Sequence, residues 1–187
     1  MTSGATQLGP DWVPGADGLP FRRGARLILL DKRDRLLLVR GHDMDQPERQ
    51  WWFTVGGGIN PGESARDAAS RELFEEAGLR VDPAEIVGPV ARRTAVFAFL
   101  RRSVRQDEEF FLARVDHPQE LVTHGWTDIE RAFMDEVRWW DLEDLALVTD
   151  EVFPEGLVDL VRGLLPGWDG VVRHLADQLD EAAPKPT

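Results

Sequence analysis

Gly56-Gly57-Gly58-Ile59-Asn60-Pro61-Gly62-Glu63-Ser64-Ala65-Arg66-Asp67-Ala68-Ala69-Ser70-Arg71-Glu72-Leu73-Phe74-Glu75-Glu76-Ala77-Gly78-Leu79 is the stretch whose reading decides the fold. Its second half predicts a helix. Ser64 is a good N-cap, and Asp67 three residues later completes a capping-box-like pair and suits the positive end of the helix dipole. Ala65, Ala68, Ala69, Leu73 and Ala77 supply helix formers and much of an apolar face. Gly78 stands where a left-handed residue would end the helix. On such a helix Glu72, Glu75 and Glu76 are spaced i, i+3 and i+4, so their carboxylates project together. Converging carboxylates without neutralising lysines make a site for a hard divalent cation, the usual partner of phosphate chemistry. Arg71 lies four residues before Glu75 and can brace it. Gly56-Gly57-Gly58 reads as a turn whose backbone approaches a ligand where a Cβ would obstruct. The competing reading is a solvated acidic helix whose Arg71 and glutamates make surface pairs; the glycines and the fixed gap to Glu63 argue against it.

The segments outside this stretch alternate between strand and turn. Ala25–Leu30 and Leu36–Arg40 read as strands around the polar turn Asp31-Lys32-Arg33-Asp34, a hairpin. Residues 41–49 form a polar loop, and Trp51–Val55 is a short strand that delivers the chain to the glycines. Residues 86–100 read as strand with Pro89 marking a bulge or edge. Arg101 to Asp107 reads as a turn, Glu108–Val115 as strand, 116–135 as a polar connection with some helix, and Glu136–Trp140 as a last strand before a helix start at Asp141–Leu145. Residues 1–20, dense in glycine and proline, read as an irregular arm in which Trp12 is an anchor or reaches a neighbouring subunit. Two amphipathic helices are expected in the C-terminal region, Glu155–Leu165 and roughly Asp169–Ala182, followed by a disordered Pro-Lys-Pro-Thr tail. The order predicts an α/β fold, an α/β/α sandwich with a mixed β-sheet and extra C-terminal helices. The expected division is an arm over 1–20, a catalytic domain over 21–150 and a helical extension over 151–183 packed on it.

The segment resembles the signature of the Nudix hydrolases. Gly57, Glu63, Arg71, Glu72, Leu73, Glu75, Glu76, Gly78 and Leu79 fill every position of that signature. Seven of these are single-residue requirements, which puts a chance match at a given start on the order of 10⁻⁸. The resemblance implies a mixed sheet between helices. It also implies metal-dependent hydrolysis of a nucleoside diphosphate linked to another group, with water attacking phosphorus. It implies Mg²⁺ or Mn²⁺ held by Glu72, Glu75 and Glu76, with the Gly56 carbonyl a further ligand. Arg71 and Glu63 then orient these carboxylates and the glycines. The general base is Glu72 or Glu75, or a glutamate from a later loop; Glu130, Glu136 and Glu120 stand in that region, and Glu136 is carried among the catalytic candidates. Gly57, Gly58 and Trp52 are the substrate-contacting candidates. For Trp51, Trp52, Trp139 and Trp140, base stacking competes with simple strand alternation, one ring of each pair inward and one outward.

Composition narrows the function further. The chain has 187 residues, 42% of them hydrophobic, enough for one sizeable core. It has no cysteine, which excludes disulfides, cysteine–zinc sites and a thiol nucleophile. No apolar run is long enough for a membrane span, and the first residues have no secretory-signal pattern, so a cytoplasmic location is expected. The net charge of −12 argues against general nucleic-acid binding and would repel a polyphosphate; the small nucleotide-type partner is what the resemblance implies. A bound cation and local arginines have to reverse the field at the site. The C-terminal helices leave a homodimer open. A proline about sixteen residues past the signature, typical of ADP-ribose hydrolases, is replaced by Ala95. The chain has no tyrosine for the position usual in dinucleoside polyphosphate hydrolases. A non-catalytic nucleotide-binding module is the alternative, but such members usually lose signature glutamates. An isoprenoid diphosphate isomerase would need a cysteine.

Overall fold

The computed structural model describes residues 8–99, 102–116 and 120–179. Its elements run β1 (Val13–Pro14), β2 (Pro20–Asp31), β3 (Leu36–His42), β4 (Gln50–Gly58), α1 (Ala65–Ala77), β5 (Val87–Phe99), β6 (Arg102–Val115), α2 (Asp128–Phe133), β7 (Met134–Trp140), α3 (Leu142–Leu145), β8 (Glu151–Phe153), α4 (Leu157–Leu164), β9 (Arg173–His174) and β10 (Gln178–Leu179). One mixed sheet joins the strands. β2 lies parallel to β6 and antiparallel to β4, β5 lies antiparallel to β6, and β3 lies between β4 and β7.

β2 shows why the sheet has a layer on each side. Successive side chains point to opposite faces, yet Leu27, Ile28, Leu29 and Leu30 are all fully buried. Ala25, Leu27 and Leu29 pack with Ala68, Ala69, Leu73 and Ala77 of α1. Ile28 and Leu30 pack on the other face with Leu142 and Leu145 of α3 and Leu157, Leu160, Val161 and Leu164 of α4. A strand covered on both faces reads as a continuous apolar run rather than an alternation. The result is the expected α/β/α sandwich. Pro89 lies where the β5–β6 register shifts, between Val87 and Ala91.

Three expectations are corrected. The glycines are not a turn: Gly56, Gly57 and Gly58 are the end of β4 and pair with Arg26, Ala25 and Gly24 of β2. Residues expected as a turn from 102 to 107 are the start of β6, which pairs with β5 from Arg102 onward; residues 100 and 101 lie outside the described residues. The second C-terminal helix is not formed between 169 and 179. Arg173–His174 and Gln178–Leu179 instead pair in parallel with β5. Asp169 accepts the Val171 amide, a local side-chain-to-backbone bond that competes with helix. Val171 and Val172 are β-branched, and β5 offers an open sheet edge that extended chain can pair. The first C-terminal helix is present as α4. Residues 180–187, with the end of the expected helix and the tail, lie outside the described residues.

The arm is anchored within the chain. Val13 and Pro14 pair with Phe21 and Pro20. Trp12 stacks on Phe99 at 6.0 Å, and the Arg22 guanidinium lies 4.4 Å from its ring centroid.

Candidate active site

The cluster forms where the end of β4 meets the middle of α1. The Ser64 side chain accepts the Asp67 amide at the helix start, and Gly78 ends it at φ 73°. Within α1, Glu72 and Glu76 face the sheet and are 7% and 3% exposed, whereas the Glu75 side chain is 43% exposed. The signature glutamates thus divide into two buried groups and one open to water.

Each glycine of β4 has a separate reason. Gly56 adopts φ 133°, and a Cβ there would overlap the Ala25 carbonyl; only glycine takes this conformation readily. Its amide donates to Glu76 Oε2 at 2.9 Å. Gly57 lies against Glu72: a Cβ would sit 2.6 Å from Oε1. The Gly58 carbonyl accepts Arg71 Nη2 at 2.9 Å.

Arg71 is the hub of the charged network. It forks onto both oxygens of Glu63, at 2.8 and 2.9 Å. Its Nη1 donates to Glu72 Oε1 at 2.7 Å and Glu75 Oε2 at 2.9 Å. Glu63 Oε2 also accepts the Asn60 amide. The fork from Arg71 holds the Glu63 carboxyl below its ordinary range, and the partners raise Arg71 in turn. Glu63 and Arg71 therefore stay charged and tie the connection between β4 and α1 together.

Among the described residues, carboxylate oxygens of Glu72, Glu76 and Glu130 lie within 4.8 Å of one another. Glu130 arrives on α2, where Thr127 and Glu130 form a reciprocal capping box. The segment before α2 is tied to α1: Trp126 Nε1 donates to the Glu76 carbonyl at 2.8 Å, and the Val122 amide to the Ala77 carbonyl at 2.9 Å. Burial pushes the Glu72 carboxyl up, partly offset by Arg71. Burial pushes Glu76 well above its ordinary value, reinforced by repulsion from Glu72, and Glu130 adds to it. Crowded, buried carboxylates whose own charges oppose ionisation are relieved by a hard divalent cation. The donor set fits one.

Other sequence candidates fall elsewhere. Glu136 pairs across the ladder with Arg40 at 3.3 Å, because the β3–β7 register sets the two opposite each other. Glu120 is exposed. Trp52 is 2% exposed, edge-on to Trp140 at 4.9 Å, with its Nε1 donating to Asp150. Buried in the α4-side core, it has no face left for a base, so its substrate-contacting role is withdrawn. The Gly56 carbonyl, expected as a metal ligand, accepts Arg26 Nη1. The sequence reading passed over Arg26, Trp126 and Asp11, whose carboxylate lies against Gly58 and pairs with Arg22 at 2.8 Å. The signal for Arg26 is a charge at the head of the apolar run Leu27–Leu30.

Comparison with known proteins agrees with this geometry. The NUDIX domain model matches residues 20–160. An RNA pyrophosphohydrolase of Rhodospirillum rubrum is 40% identical over 135 residues, covering 62% of this chain and 77% of the relative. One from Bartonella bacilliformis is 25% identical over 68% of this chain and 81% of its own length. Among solved structures, the mMutator MutT protein from Bacillus halodurans superposes with a TM-score of 0.55 at 20% identity, over 81% of this chain and 88% of that one. With two signature glutamates, Glu72 and Glu76, gathered with Glu130 into a carboxylate cluster, the chain belongs to the NUDIX domain family and is a hydrolase of nucleotide pyrophosphate bonds.

Proposed function

We propose that the chain hydrolyses a nucleoside diphosphate linked to another group, giving a nucleoside monophosphate and a phosphorylated remainder. The observation that carries this reading is the convergence of Glu72, Glu76 and Glu130 within 4.8 Å beside the Arg71 hub. These three glutamates would hold the cation, and Arg71 links Glu72 of the set to Glu75. Magnesium is the ion we propose, since it suits a few carboxylates and otherwise keeps water. Once bound, it supplies neutralisation of the diphosphate charge and stabilises the leaving oxygen.

The chain's own residues do the rest. Arg71 holds Glu72 and Glu75 in one orientation, so the carboxylates need little reorganisation when substrate arrives. Glu75, the most water-exposed of the signature glutamates, takes the proton from the attacking water. The water oxygen bonds to phosphorus as the bridging phosphorus–oxygen bond breaks, and the electron pair leaves with the phosphorylated remainder. No covalent enzyme intermediate is involved.

The relatives named as RNA pyrophosphohydrolases bring a 5′-triphosphate RNA end into consideration as substrate. The net charge of −12 favours a free nucleotide over a long phosphate backbone. The test is phosphate release, coupled through pyrophosphatase or phosphatase, from a panel of nucleoside triphosphates, nucleotide sugars, ADP-ribose, dinucleoside polyphosphates and triphosphate-ended RNA, with magnesium or manganese. Metal-dependent turnover of a free nucleotide, abolished in Glu76→Gln, is the expected result. Turnover of the RNA end alone would replace the substrate proposal. Silence across the panel in folded, metal-bound protein would favour a nucleotide-binding role.

A further inference from the structure

Arg26 lies on β2 at the boundary between the apolar run Leu27–Leu30 and the polar end of the sheet, and its side chain is only 15% exposed. Its Nε donates to Glu108 Oε1 at 2.7 Å. Glu108, on β6, is 1% exposed, and its other oxygen accepts Arg93 Nε from β5. Gln106 Nε2 donates to the same Glu108 oxygen that Arg26 uses, at 2.7 Å. Arg93 in turn reaches Gln178 of β10 at 2.8 Å. On its other side, Arg26 Nη1 donates to the Gly56 carbonyl. The Gly56 amide donates to Glu76 at 2.9 Å. Arg93, Glu108, Arg26, Gly56 and Glu76 thus form a continuous relay across the sheet, ending on a buried member of the carboxylate cluster.

Stability alone does not account for this arrangement. Burying two arginines around one glutamate costs several kcal/mol of desolvation per ion, and well-packed apolar residues commonly do as well or better. What an apolar replacement could not do is hold the Gly56 peptide. Gly56 sits at φ 133°, a conformation with no local preference to keep it. Its carbonyl and amide are gripped from opposite sides, by Arg26 and by Glu76.

We propose that Arg26 is a positioning residue for the metal cluster: it fixes the plane of the Gly56 peptide, and through the Gly56 N–H it fixes the Glu76 carboxylate. The inference rests on the cluster being a cation site. It assigns Arg26 no contact with substrate.

The test is Arg26→Met, which keeps the apolar stem, deletes the guanidinium and leaves Glu108 paired with Arg93. Manganese binding is read without substrate, by the electron paramagnetic resonance of the free ion, beside thermal melting and steady-state kinetics. Expected are a loss of manganese affinity and of kcat, each on the order of 10- to 100-fold, with KM changed less than about threefold. Arg26→Lys, which keeps one donor for the Gly56 carbonyl, should recover part of both and serves as the test if Arg26→Met does not fold.

Three results would overturn the proposal. A lower melting temperature with unchanged affinity and kcat per folded molecule makes Arg26 purely structural. A raised KM with intact manganese affinity makes it a substrate contact. Tighter manganese binding means that its charge opposes the ion instead of positioning its ligands. If wild-type protein turns over nothing, the hydrolase reading fails, and the manganese titration still decides the role of Arg26.

Discussion

A methyl group on Gly57 would lie 2.6 Å from Oε1 of Glu72. The glycine and the glutamate, fifteen positions apart, are therefore one steric unit: the backbone of β4 leaves the space that the carboxylate fills. In Gly57→Ala the far end of a flexible side chain has to move, not the backbone. The fold should survive with a loss of about 1 kcal/mol. The displaced carboxylate should cost on the order of 10²-fold in kcat, the scale of a 1 Å misplacement. Gly56→Ala should behave differently, because there the obstacle is the Ala25 carbonyl and φ is 133°. Melting curves beside kcat for the two variants check this: Gly56→Ala should lose stability by more than Gly57→Ala does.

The helix and its neighbours are legible in the sequence because the signals are local. Ser64, Asp67, the alanine face and Gly78 all lie within or at the ends of one 13-residue helix, and each appears in α1 as expected. Glu130 is a different case. In sequence it is one of three late glutamates; Trp126 on the Glu76 carbonyl and Val122 on the Ala77 carbonyl bring it to α1, and nothing within a few residues encodes that. Trp51-Trp52 has the same ambiguity: alternation says that one ring is inward and does not say toward which layer. Residues 169–179 have an amphipathic pattern, but the open edge of β5 is a long-range partner that helical periodicity cannot register.

Glu76→Gln should abolish turnover and stabilise the metal-free protein. Glutamine keeps an oxygen for the Gly56 amide and removes a buried charge. Burial raises the Glu76 carboxyl above its ordinary 4.5, so the folded protein binds this proton more tightly than the unfolded chain. As pH rises from 4.5 through the raised folded value, stability falls, and above it the penalty is complete. The metal-free melting temperature should thus drop across that window in wild type and less in the variant. At neutral pH Glu76→Gln should gain about 1 kcal/mol, roughly 2–4 °C for a chain of this size. Magnesium should raise the melting temperature of wild type, with proton release on binding, and have little effect on Glu76→Gln. A variant that melts lower than metal-free wild type at neutral pH would contradict this account.

Glu108 has the opposite sign. It is buried, which opposes its ionisation, but Arg26 and Arg93 overcome that and hold its carboxyl at about 2. Its stabilising contribution is complete above the ordinary 4.5 and is lost as pH falls toward about 2. Acid unfolding of wild type should steepen in that interval. Glu108→Gln leaves two buried guanidinium groups without their counter-ion, which should cost about 3–5 kcal/mol at neutral pH. Chemical denaturation as a function of pH checks both: the variant should be less stable at pH 7, and its stability should change less between 4.5 and 2.

Glu130 and Glu136 lie six residues apart, but the structure separates their roles. Glu130 shares the cluster with Glu72 and Glu76, while Glu136 is taken up by Arg40 at 3.3 Å across the β3–β7 ladder. Glu130→Gln preserves a side-chain oxygen for the Thr127 amide that it now accepts, so α2 should keep its capping box and stability should change by no more than about 0.5 kcal/mol. Turnover should nevertheless fall on the order of 10²-fold, with a higher magnesium requirement, because one of the converging oxygens has lost its charge. Glu136→Gln removes only a partly exposed ion pair, which is worth about 0–1 kcal/mol. Its kcat and its magnesium dependence should match those of wild type. Metal titrations of activity on the two variants side by side decide the matter: if Glu136→Gln were the one to lose turnover, the late glutamate of the site would be on β7, and the α2 assignment would fall.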